Sequence, residues 1–173
     1  SEWLGGYLAR DFKAIGCYGM LTPDLWRSFG GIRTLGNQPA FSPYNDNLTA
    51  VQCGSCYKVV FSSRPMVFFR LHPESLSFSS VDVDAYSSAQ REFMDVAEGV
   101  MLSDRRHFQE NSNKLLKWFL FDYLSVLARS RNIPLSRVLG HCWYLLSKAD
   151  FKTQRSVLPH TVKHILAYLS PGL

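Results

Sequence analysis

The chain has 173 residues, 46% of them hydrophobic and 19% charged, a balance that argues against disorder beyond the ends and suits one domain with a sizeable core, with or without a small appended module. Its net charge of +5 comes from scattered cations, so contact with a nucleic acid or an anionic surface is permitted but not required. Four cysteines, Cys17, Cys53, Cys56 and Cys142, are too few and too irregular for a disulfide scaffold and point to a reducing, intracellular compartment. Trp3, Leu4, Tyr7, Leu8, Phe12 and Ile15 then set a helical period over residues 3–15, broken by Gly16 and Gly19. No basic stretch precedes that helix, so no signal peptide is expected. No apolar run reaches bilayer length either, because Lys117 and Asp122 interrupt Leu115 to Leu127.

Met20 to Pro39 follows. Thr22 can cap a helix there, and Pro23 suits its first position, where a missing N–H costs nothing. Leu21, Leu25 and Phe29 recur every four residues, with Trp26 beside them, and Gly30-Gly31 ends the helix. So short an apolar helix needs a partner surface, within the chain or on another protein. Gly36, Pro39, Pro43 and Asn45-Asp46-Asn47 mark the next stretch as loop.

Leu48–Cys53, Tyr57–Phe61, Met66–Leu71 and Leu76–Val83 are short runs rich in Val, Phe and Tyr, separated by turn chemistry, and they predict a β-meander. Leu76, Phe78, Val81 and Val83 alternate with Ser and Asp, which gives the last strand one wet face. Helices are predicted at about 87–102 and 112–130, the second apolar nearly all round and therefore central. A third follows Asn132-Ile133-Pro134, with Val138, Leu139, Cys142, Trp143, Leu145 and Leu146. Pro159 starts a fourth, with Val162, Ile165, Leu166 and Leu169. The expected fold is α+β: an N-terminal helical segment at 1–40, then a body at 41–173 of a small antiparallel β-meander (about 48–83) and a C-terminal helical bundle (about 87–169).

Cys53-Gly54-Ser55-Cys56 offers two ligands of a zinc knuckle or a plain hairpin turn. Tetrahedral zinc needs four ligands, and Cys17, His72, His141 or Cys142 complete a set only by chance of folding. The letters CGSCY also match the papain-type surround of a nucleophilic cysteine, with His160 or His164 as base. That chemistry requires Cys56 at a helix N-terminus, and the following residues read as strand. His160 and His164 stand at i, i+4 without the Glu of a zinc-protease motif, and Asp82 and Asp84 share one predicted strand face. There is no phosphate-binding glycine loop and no serine elbow. No catalytic residue is assigned, no cofactor is expected, and an enzyme is not the favoured class. Arg105-Arg106, Arg129, Arg131, Arg137, Lys148, Lys152 and Arg155, with Trp118 and Trp143, form either an RNA-contacting face or solvated helix ends.

Leu21-Thr22-Pro23-Asp24-Leu25, the thirteen residues 26–38 and then Pro39 resemble the minimal F-box of the RNA-silencing suppressors encoded at the 5′ end of polerovirus genomes. That family's motif reads Leu-Pro-x-x-Leu/Ile, a spacer, then Pro; here Thr22 holds the second place and proline the third. Cys53-Gly54, Val59–Phe61 and Pro65–Leu71 are similar to the family's middle region. Ile133-Pro134-Leu135 and Leu139-Gly140 are similar to its C-terminal half, so the resemblance spans about 20 to 169. It implies a viral substrate receptor in the host cell cytoplasm. The F-box docks a Skp-type adaptor of the plant cullin ubiquitin ligase, and the remainder binds Argonaute, which is degraded. By correspondence Leu21, Pro23, Leu25 and Pro39 carry adaptor docking; helical geometry adds Trp26 and Phe29. An RNA-binding suppressor using the basic helical face is the alternative.

Overall fold

The structure is a computed structural model that describes residues 2–9, 22–28, 35, 44–56, 82–101, 105–130 and 133–170. Seven helices account for nearly all of them: α1 Glu2–Ala9, α2 Pro23–Ser28, α3 Asn45–Cys56, α4 Val83–Met101, α5 Arg105–Arg129, α6 Leu135–Lys148 and α7 Phe151–Leu169. There is no strand among the described residues. The expected α+β class is therefore corrected to an all-helical one.

Two of the predicted strands meet described residues, and in each a local helical signal overrides the strand-like composition. Leu48–Cys53 lies inside α3, where Leu48, Val51 and Gln52 are buried at steps of three and four, the spacing of one helical face. Asp46 occupies its first turn, where the helix dipole favours an acid. In Leu76–Val83, Asp82 accepts from the Ala85 N–H at 2.9 Å and so caps α4, which begins at the buried Val83. The runs Tyr57–Phe61 and Met66–Leu71 lie outside the described residues, as do residues 76–81.

α5 is the hub. Leu115, Leu116, Phe119, Leu120, Tyr123, Leu124 and Leu127 are all essentially buried, because α1, α4, α6 and α7 surround the helix. α3 packs on α4 and α1. A helix apolar around most of its circumference is stable only when enclosed in this way. The side-chain pairs fix relative direction. Asp84–Arg137, Gln90–His141, Arg91–Tyr144 and Glu98–Lys148 advance together, so α4 and α6 run parallel. Asn113–Asp150 and Phe121–His160 advance likewise along α5 and α7. At the far end the Tyr168 hydroxyl donates to the Ile133 carbonyl and accepts from its N–H, both at 2.8 Å.

α7 does not start at Pro159. It starts eight residues earlier, at Phe151, where Asp150 accepts from the Thr153 N–H at 2.7 Å. Asn113 in turn holds Asp150 through its side chain and its backbone N–H. These bonds pull the Asp150 carboxyl below its ordinary range, the Thr153 contacts contributing most. Pro159 sits inside the helix and cannot donate the bond owed to the preceding turn. It is exposed, so Pro159→Ala leaves no void, and the variant is expected to be more stable by about 1–2 kcal/mol in urea denaturation.

Candidate functional site

The predicted docking stretch is partly described. α2 begins at Pro23, as the proline rule expects, and Thr22, Pro23, Asp24, Arg27 and Ser28 are exposed. Arg27 donates to Asp24 at 2.8 Å, an i, i+3 pair on the solvent side. Exposed pairs of this kind contribute little to stability. Leu25 and Trp26 belong to α2, whereas Leu21, Phe29 and Pro39 lie outside the described residues.

Inside the bundle a polar chain crosses four elements. The Tyr44 hydroxyl donates to Asp122 on α5 at 2.5 Å and accepts from the Gln90 amide on α4 at 2.7 Å. The same amide nitrogen donates to the Phe119 carbonyl at 3.0 Å. A carbonyl only accepts, so the amide is oriented and its oxygen must face His141 on α6, at 2.8 Å from Nε2. Nε2 therefore carries the proton, and Nδ1 is left buried without a hydrogen-bond partner. Burial, reinforced by Arg91, lowers the His141 pKa from 6.5 to about 3. The imidazole is neutral at physiological pH.

Tyr44 takes the left-handed backbone (φ 72°), unusual for a bulky residue, directly before α3. The ring accounts for it. It packs edge-on against Tyr86, Phe93 and Trp118 and tilted on Phe119, while the hydroxyl reaches Asp122. Burial and the neighbouring Asp122 carboxylate push the phenol well above its ordinary pKa, so it stays a donor. This chain runs from the half-buried Asp122 into the core and links α4, α5, α6 and the start of α3. Its chemistry is that of a structural tie.

The outer faces of the last two helices are different. On α6 the inward positions are Val138, His141, Cys142 and Leu145, leaving Leu135, Leu139 and Trp143 exposed at steps of four. On α7 only Val157 and Thr161 are fully buried, and Phe151, Leu158, Val162, Leu166 and Leu169 face solvent. Trp143 is 72% and Phe151 77% exposed, far beyond what a self-contained bundle requires. The sequence showed these apolar residues but not which of the two apolar stripes on α6 the bundle covers. Tyr44 and Gln90 carried no sequence signal, since their roles arise only from tertiary contacts.

The remaining candidates disperse. Cys53 and Cys56 lie on α3 and not in a hairpin, and the buried Cys142 carries a free thiol. Burial pushes the Cys142 thiol up to about 11. Cys56 is the last residue of α3, the dipole end that disfavours a thiolate, opposite to the nucleophile geometry. Among the described residues no three His, Cys, Asp or Glu side chains are grouped to hold a metal ion. The His160 and His164 rings lie 4.4 Å apart at a 51° tilt, with His160 edge-on to Phe121. Burial and the nearby His160 and Lys163 charges lower the His164 pKa. Asp82 is a helix cap, and Asp84 binds Arg137 at 2.8 Å. Arg137 and Lys148 thus point into contacts with α4, which removes two cations from the predicted basic face. Arg105, Arg106 and Arg131 give no described side chain to it. Among the described residues no helix is long and apolar enough to cross a membrane. Comparison with known proteins finds no matching family model, no similar curated protein and no similar solved structure.

Proposed function

We propose that the protein is a viral suppressor of RNA silencing that works as an F-box substrate receptor, recruiting a host Skp-cullin ubiquitin ligase to Argonaute and promoting its degradation. The observation that carries this reading is α2: a six-residue helix that begins at Pro23 inside the motif-like stretch and turns Pro23, Asp24, Arg27 and Ser28 to solvent. An exposed start leaves the motif open to another protein. Leu21, Pro23 and Leu25, with Trp26, Phe29 and Pro39, supply apolar anchors for a groove on the adaptor, and affinity comes from desolvating those anchors. Such a receptor performs no bond chemistry itself. It brings a target to a ligase.

Co-purification with a plant Skp adaptor tests it. Replacing both Leu21 and Leu25 by Ala is expected to weaken capture by more than about thirty-fold, two anchor truncations at hot-spot cost. The thermal melt should be unchanged. Full adaptor binding by a folded double variant, or none by the wild type, refutes the assignment.

A further inference from the structure

We propose that the outer face of α7 is a docking site for an acidic amphipathic helix of a partner protein. Phe151, Leu158, Val162, Leu166 and Leu169 fall within an arc of about 80° at the α-helical repeat, and they run the whole length of the helix. Each is between 46% and 77% exposed. Val157 and Thr161, about 100–140° round the helix from the middle of the stripe, hold α7 against the body. The width of the stripe matches a helix-on-helix seam.

Charge identifies the occupant. Arg155 interrupts the stripe, Lys152 and Lys163 flank it on one edge, and no acidic residue follows Asp150 in the sequence. A second copy would set these cations against their own kind, which disfavours self-pairing. A bilayer surface calls for a broad apolar face, and this stripe is only about 80° wide. A partner helix with apolar a and d positions and carboxylates beside them satisfies both the stripe and the cations. This site is independent of adaptor docking by residues 21–39.

The probe is a synthetic three-heptad helix with Leu at a and d and Glu at e and g, titrated into the full chain by fluorescence anisotropy. A matched peptide has Lys in place of Glu, and phosphatidylserine–phosphatidylcholine vesicles are the lipid arm. The Glu peptide is expected to bind at least about tenfold more tightly than the Lys peptide. Leu158→Glu with Val162→Glu should abolish binding with an unchanged circular dichroism spectrum. Reversing Lys152, Arg155 and Lys163 to Glu should switch preference to the Lys peptide, a result that misfolding cannot produce. Adaptor capture should be unaffected in both variants. Equal binding of the two peptides, no peptide binding, tighter capture by vesicles, or a wild-type dimer dispersed by the Leu158 and Val162 changes would each overturn the proposal.

Discussion

Tyr44→Ala is expected to destabilise the protein by about 4 kcal/mol, the largest effect of any single substitution considered, because a buried aromatic ring and two hydrogen bonds go together. The ring touches Tyr86, Phe93, Trp118 and Phe119, so its removal opens a void where α4, α5 and the start of α3 meet. Ala keeps the unfavourable left-handed backbone (φ 72°) and gains nothing there. Tyr44→Phe separates the parts. It retains the ring but leaves Asp122 without its donor and the Gln90 amide with one acceptor fewer, at about 2 kcal/mol. Equilibrium urea denaturation of the three proteins measures both steps. Were Tyr44→Phe to match the wild type, the polar chain would contribute nothing and the ring alone would hold the backbone.

Tyr44 also shows where sequence reading stops. It stands in a stretch read as loop from its Gly, Pro and Asn residues; Gly36, Pro39 and Pro43 lie outside the described residues, Asn45-Asp46-Asn47 instead open α3, and none of these letters reveals that the Tyr44 side chain turns into the core. The helices of the C-terminal half were legible because their periodicity is strong: the buried side of α5 was visible as Leu115, Leu116, Phe119, Leu120, Tyr123, Leu124 and Leu127. The meander failed for a local reason. Leu48–Cys53 has the composition of a strand, but the positions that bury are Leu48, Val51 and Gln52, and Gln52 did not enter an apolar count. At Val81–Asp84, alternation and a capping aspartate use the same letters, and the cap won. Pro159 misled because proline at a first turn and proline within a helix look alike until the Asp150 cap and the Asn113 bonds are seen. At the docking stretch the proline rule did locate the start of α2. The anchors proposed there rest on the motif resemblance, with Trp26 and Phe29 added from helical spacing, while the exposed α7 stripe required knowing which side α5 covers.

His141 gives the second large effect, and its sign follows from burial. In the folded protein its pKa is held at about 3, against 6.5 for an ordinary histidine, so between those values the unfolded chain binds a proton that the folded chain refuses. Stability is full above about pH 6.5 and falls as the pH drops toward 3. The slope approaches about 1.4 kcal/mol per pH unit, and the loss between about pH 6.5 and 5 is expected to be about 1–2 kcal/mol. The groups around the ring agree with a neutral imidazole. Arg91 repels a charged one, Tyr123 and Tyr144 supply aromatic faces, and Gln90 needs only the Nε2 proton. His164, also lowered, acts in the same direction from a more exposed site on α7. His141→Gln keeps a donor for Gln90 but cannot titrate, so urea midpoints for this variant should be nearly flat over the same window, apart from the small His164 contribution. An equally steep fall in the variant would place the acid sensitivity elsewhere and remove His141 as the reason the bundle loosens on mild acidification.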